Sequence, residues 1–293
     1  MKERDSLTKK VGIFGIFGNI FLFIIKIIIG LISNSRAMIA DSFNSAGDIF
    51  ASFMTWLGSR ISSVPNDDDH NYGHGKAEYI FSMLISISMI IIALKLLYDS
   101  LVSIINHSIV NYSFLLVIIS VITILTKIGL YFYANFIYKK TDNILVKSNM
   151  LDHRNDVVVT SFTLVAIILT KYGIYWFDGV VGVGISVWIF IVGIKIYKES
   201  YDVLMDTAMD TESKKEILSV LNSYKDIKRI GRIYSIPIGY NYIVVLTIYV
   251  DGRMHTATSH KIADEIEEKI KKGIKRIDDV IIHIEPFYEK KNK

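Results

Sequence analysis

The chain contains no cysteine. Disulfides and thiolate ligands are thereby excluded, and any metal chemistry must use oxygen or imidazole; the redox compartment stays open, because a chain without thiols suits either. A strong charge imbalance is also missing. The formal net charge is +4, and membrane orientation accounts for the lysines, which leaves no electrostatic case for nucleic acid. No internal repeat, low-complexity tract or His-Glu-x-x-His sequence occurs, so the helix-borne zinc hydrolase motif is absent. The first apolar run follows Lys9 and Lys10 but ends in Asn34-Ser35-Arg36 without a small-residue cleavage pattern, so it is expected to remain as a helix. After Ile196 the long apolar runs stop.

What is present is an uneven distribution of apolar residues. The 293 residues are 51% hydrophobic and 21% charged, with mean hydropathy +0.38, which reads as a membrane domain plus a soluble one. A helix needs about 20 mainly apolar residues to span a bilayer. Six segments qualify: Val11 to Ser33, Ala37 to Ile61, Tyr79 to Ile105, Tyr112 to Ile137, Val146 to Thr170 and Tyr175 to Ile196. Lys2, Arg4, Lys9, Lys10, Arg60, Lys76, Lys139, Lys140, Lys147, Lys195 and Lys198 then fall on one side, with Arg36 and Lys171 on the other. Both termini are expected in the cytoplasm.

The expected fold is therefore an α-helical membrane protein with six transmembrane helices over residues 1–199, followed by an α+β cytoplasmic domain over 200–293. In that second domain Asp210 is placed to cap a helix reaching about Leu221. Strands are expected over Ile230 to Ile236 and Tyr240 to Val250, with Pro237-Ile238-Gly239 as the turn. Thr256 or Thr258 would cap a second helix, in which Ile262, Ile266 and Ile270 recur every four residues, and Val280 to Ile284 is the last strand. The order α-β-β-α-β suggests helices on one face of a small sheet.

Two polar pairs interrupt the apolar segments. Asn44-x-x-x-Asp48 and Asp152-x-x-x-Asp156 each lie one helical turn apart, hence on one face of their helix. An ionisable group at membrane depth costs about 2.5 to 3.5 kcal/mol even on the lenient insertion scale, so three carboxylates there require a partner. A divalent metal is the simplest one, and four oxygen ligands favour hard ions, Mn2+ and Mg2+ before Zn2+. The competing reading is that these groups bond between helices or pair with Lys26, Lys127 or Arg154. His153 projects about 100 degrees from Asp152 on an ideal helix and is expected to face a neighbour or the ion path.

Two further clusters hold metal-ligand residue types. Asp67, His70 and His74 supply a carboxylate and two imidazoles in one short connection, a mixed set suited to zinc, manganese or iron, although Asp- and Gly-rich loops are often just solvated turns. His260, His283 and Glu285 are a weaker third candidate, with ordinary surface histidines as the simpler alternative.

Together these residues resemble the cation diffusion facilitator family of divalent-metal/proton antiporters over nearly the whole chain. Ala40-Asp41-Ser42-Phe43-Asn44-Ser45-Ala46-Gly47-Asp48 is similar to its second-helix motif and Asp152-His153-Arg154-Asn155-Asp156 to its fifth-helix partner. The run from Asp67 through His70 and His74 to Glu78 is similar to its loop signature. The resemblance implies a homodimer, a ferredoxin-like cytoplasmic domain, an ion pair between Lys76 and Asp206, and kinship with the bacterial manganese-exporting branch. It also implies a departure. Gly231-Arg232 and Thr247 stand where binuclear-zinc members carry histidines, so His260, His283 and Glu285 would make at most a single-ion regulatory site.

Crowded carboxylates at low dielectric cannot all stay ionised, so protons and metal are expected to compete, and release to an acidic exterior would make export proton-driven. No catalytic residue and no cofactor follow from this reading. The transported or bound ion is Mn2+ first, with Zn2+, Fe2+ and Co2+ as alternatives. A membrane-embedded metallohydrolase and a metal receptor are the readings from other classes.

Overall fold

A computed structural model describes residues 2–32, 36–106, 114–170, 172 and 176–288. Asn34, Ser35, Tyr112, Lys171 and Tyr175 lie outside the described residues, as do the side chains of Lys2, Arg36, Asp41, Phe43 and Asn44. The chain divides into two compact units, Met1–Tyr201 and Asp202–Lys293.

The first unit is built from six long helices: α1 (Lys2–Ile32), α2 (Arg36–Ser62), α3 (Ala77–Asn106), α4 (Phe114–Thr141), α5 (Ile144–Thr170) and α6 (Trp176–Leu204). By length and apolar composition, Glu3–Ile29, Ala77–Ile105, Phe114–Thr141 and Gly179–Leu204 are able to cross a membrane. α5 stands outside that set because Asp152, Arg154 and Asp156 interrupt its apolar stretch. α2 also stands outside it, and these are the two helices that carry the polar pairs. Large apolar side chains such as Phe17, Ile91, Leu125 and Ile191 point outward, as lipid-facing residues do.

Without a hydrophobic force between helices in lipid, close association relies on small residues and polar contacts. α1 and α2 use both. A Cβ on Gly12 would lie 2.6 Å from the backbone nitrogen of Trp56, and one on Gly15 would lie 2.5 Å from Ser52 Oγ. These glycines let the helices touch backbone to side chain. The adjacent polar seam joins Asn19 Nδ2 to the Asp48 carbonyl and to Ser52 Oγ, both at 3.1 Å, and Asn149 Nδ2 of α5 donates to Ser52 Oγ at 3.4 Å. Asp48 is thus held in register between α1 and α5.

The second unit follows α7 (Thr211–Asn222), β1 (Arg229–Ile238), β2 (Asn241–Asp251), α8 (Thr256–Gly273) and β3 (Ile277–Phe287). The sheet order is β1-β2-β3, antiparallel between the first two and parallel between β2 and β3, the pair joined through α8. Val244, Leu246, Ile248 and Val250 alternate along β2 and bury one face of it. Ile217 and Leu221 of α7 and Ile262, Ile266 and Ile270 of α8 cover that face, as the four-residue isoleucine spacing requires.

Two local expectations are corrected. β1 runs on through Pro237 to Ile238, and Gly239, with φ of 86°, starts the turn. Pro237 is tolerated because β1 is an edge strand. α8 is capped by His255, whose Nδ1 accepts from the Ala257 N–H at 3.3 Å, rather than by Thr256 or Thr258. Asp210 caps α7 as expected, its Oδ1 accepting from the Ser213 N–H at 2.8 Å.

Candidate metal centre

The middle of the first unit concentrates buried polar groups. Asp48 of α2 and Asp156 of α5 converge on one cation, the Lys127 ammonium of α4, at 2.7 Å and 2.5 Å from Nζ respectively. The Lys127 side chain is 1% exposed. Of the three partners weighed from sequence, Lys127 bridges these two acids directly. Arg154 turns away and stacks on Trp188 of α6, its Cζ 4.6 Å from the ring centre, while Lys26, buried on α1, adds a further positive charge acting on Asp156. Asp48 and Asp156 thus face the same point from two helices, and the group between them is Lys127, one of the partners that the competing reading named. Asn44 sits one turn before Asp48 in α2, with its side chain outside the described residues.

Asp152 is buried beside Asp156, and a ring nitrogen of His153 lies within 4.8 Å of a carboxylate oxygen from each. His153, expected to face a neighbour or the ion path, lies beside the acids with its imidazole buried; sequence gives the angle of the side chain but not what fills its surroundings. Asp152 Oδ2, His153 Nδ1 and Asn155 Nδ2 are buried without a hydrogen-bond partner among the described residues. Buried polar atoms are nearly always satisfied, and of these three Asp152 Oδ2 and His153 Nδ1 have lone pairs that fit a cation taking oxygen and imidazole, whereas the Asn155 amide N–H can only donate. A cavity begins at Asp152 and Asp156 and continues along α3 and α5 past Leu96, Asp99 and Val159, which also line a second cavity farther along.

The loop cluster also assembles. Asp67 Oδ1 accepts from the backbone N–H groups of His70 at 2.6 Å and Asp69 at 3.1 Å, and His70 Nδ1 lies 3.1 Å away. His74 Nε2 stands 3.6 Å from Asp67 Oδ2, with the two imidazole rings 4.3 Å apart. The His70 backbone N–H holds the Asp67 carboxyl below the usual carboxylate range, so it stays anionic and ready to bind a cation. Gly73, at φ of 74°, makes the turn between the histidines.

In the second unit His283 Nε2 pairs with Glu285 Oε1 at 2.8 Å on β3, and both side chains are exposed. His260 lies on the exposed side of α8, and among the described residues it forms no three-ligand group with them. Lys76 lies at the start of α3, and Asp206, at φ of 56°, in the turn after α6. They belong to different units.

Comparison with known proteins gives this arrangement its context. The family profile of the cation efflux transmembrane domain matches residues 12–205, and that of the cation efflux protein cytoplasmic domain matches residues 209–287. The chain belongs to the cation efflux family. Family members are transporters, so the chain is not an enzyme but a metal-cation exporter. It is 28% identical to the manganese efflux system protein MneP of Bacillus subtilis over 98% of this chain and 99% of that one. It is 27% identical to MneS of the same organism over 99% and 100%. The metal-bound C-terminal domain of the CzcD transporter from Thermotoga maritima aligns with 27% of this chain and 94% of that one, at 27% identity and a TM-score of 0.26.

One group in the cation efflux fold was not singled out from the sequence. Arg4 of α1 donates through both terminal nitrogens to Glu78 of α3 at 2.7 Å and through Nε to the Thr141 carbonyl at 2.9 Å. Asn143, between α4 and α5, donates to the same carboxylate at 2.9 Å. This knot ties α1, α3 and α4 to the α4–α5 turn at one end of the unit.

Proposed function

We propose that the protein exports a divalent cation, Mn2+ first, in exchange for protons, by alternating access around Asn44, Asp48, Asp152 and Asp156. The carrying observation is that Asp48 of α2 and Asp156 of α5 hold a single buried positive charge between them. Carboxylates from two helices aimed at one point at membrane depth are costly to bury, and with three acids around one lysine this supports a cation site over a helix-joining ion pair with Lys127 alone. The oxygen-rich set favours Mn2+, and two similar proteins carry manganese efflux in their names.

In this reading the ion enters from the cytoplasm, displaces protons from the acids, and leaves to an acidic exterior as they are protonated again. The protein works as a homodimer in the plasma membrane with both termini in the cytoplasm. Asp67, His70 and His74 bind a second ion, His283 and Glu285, with His260, form a weak regulatory position, and a Lys76–Asp206 pair links the two domains. Mn2+ uptake into proteoliposomes should follow an imposed pH gradient, and Asp156→Ala should abolish it. Uptake indifferent to both would overturn the reading.

Zn2+, Fe2+ or Co2+ is the second reading for the cargo. The observation in its favour is His153, whose imidazole beside Asp152 and Asp156 adds a softer ligand. Metal accumulation in cells expressing the protein, compared across the four ions, separates the two.

A further inference from the structure

We propose that Lys127 is a tethered competitor of the transported ion: its ammonium takes the position that the divalent cation takes between Asp48 and Asp156, and cargo binding requires it to swing aside. The proposal rests on the transport-site reading above and adds a residue that sets affinity and turnover.

The geometry carries it. Nζ stands 2.7 Å from Asp48 Oδ2 and 2.5 Å from Asp156 Oδ2. Hard divalent ions sit about 2.0 to 2.6 Å from carboxylate oxygens, so an ion bridging the same two atoms and the ammonium exclude each other. Lysine suits such an exchange. Its charge is compact and its four-carbon stem rotates freely, unlike the planar fork of arginine. Thr123, one turn earlier on α4, keeps a buried hydroxyl with no hydrogen-bond partner among the described residues, an acceptor for the displaced ammonium.

Charge balance argues against a merely structural bridge. One lysine bridges acids in a group of three formal carboxylates, Asp48, Asp152 and Asp156, on which the Lys26 charge also acts, and among the described residues Asp152 Oδ2 has no hydrogen-bond partner. A bridge selected for stability would neutralise its acids, whereas a monovalent placeholder leaves room for a divalent ion to bind better. Two consequences follow. Cargo affinity is reduced by the fraction of time the lysine holds the position. After release, protons neutralise all but one of the acids and the lysine accompanies the one left ionised through the return step, which uncompensated charge in lipid would oppose.

The test uses the full-length protein in proteoliposomes at symmetric pH 8, with Mn2+ as probe, comparing wild type with Lys127→Met, Lys127→Gln and Lys127→Arg. Binding is read by calorimetry, and net uptake is compared with Mn2+/Mn2+ exchange, which needs no return of the unloaded carrier. Lys127→Met and Lys127→Gln should bind Mn2+ about tenfold more tightly, as expected if lysine holds the position about nine-tenths of the time. Their ratio of net uptake to exchange should fall about tenfold, and Lys127→Arg should stay nearer wild type. Unchanged or weaker binding with an unchanged ratio would overturn the proposal. Lys127→Gln keeps length and N–H donors, so the test survives if the methionine variant does not fold. Wild-type Mn2+ binding and flux in Asp156→Ala would instead remove the transport-site reading; loss of both there, with a wild-type-like Lys127→Gln, sinks the lysine proposal alone.

Discussion

Glu78 accepts two hydrogen bonds from Arg4, both at 2.7 Å, from a position that leaves the glutamate 2% exposed. Removing one partner of a buried pair strands the other charge, so Glu78→Ala should destabilise the membrane unit by about 3 to 5 kcal/mol. A thermal melt of the detergent-solubilised protein reads this loss. The double substitution Arg4→Met with Glu78→Met should recover part of it, because neither charge is then stranded while the Asn143 amide and the Thr141 carbonyl still lose a partner.

Ligand softness should control which ion is carried. Asn44→His adds an imidazole at the transport site and should shift the Mn2+/Zn2+ transport ratio toward zinc, whereas His153→Ala removes one and should shift it toward manganese. Parallel uptake of both ions in one proteoliposome preparation gives the ratio. No change in either variant would assign selectivity elsewhere.

The loop cluster is separate from the buried acids, and its loss should separate binding from transport. Asp67→Ala removes the carboxylate that both histidines face. Metal content of the purified protein, measured by mass spectrometry after chelation and reloading, should drop by one ion per chain. The Mn2+ response to a pH gradient should survive, and its collapse would place Asp67 on the transport path.

The Asp210 cap gives a pH dependence with a definite sign. The Ser213 backbone N–H holds the Asp210 carboxyl below its usual range. A depressed folded-state value contributes stability above the unfolded value of about 3.9 and loses it as pH falls through the folded one. Protection of α7 amides against hydrogen exchange in the full-length protein should therefore be lost on acidification below about pH 4. Asp210→Ala should remove about 1 kcal/mol of that protection at neutral pH.

Much of the architecture was legible because it follows from local periodicity. Ile262, Ile266 and Ile270 announce the buried stripe of α8, the alternation along β2 announces its covered face, and Asp210 announces the start of α7. Caps and turns were less legible where two residues compete for one role. His255 captures the α8 terminus ahead of two threonines, and Pro237 stays in an edge strand whose missing N–H no neighbour needs.

From the residues alone came the restriction to oxygen and imidazole ligands, six long helices ahead of an α-β-β-α-β unit, and two polar pairs each on one face of its helix. All of these depend on neighbours within a few positions of the chain. Which cation stands between Asp48 and Asp156 and that Arg4 meets Glu78 across 74 residues depend instead on how separate helices rotate and pack. Helical periodicity sets the faces of each cylinder; only the packed bundle sets which faces meet, and at membrane depth that meeting chooses the partner of every buried charge.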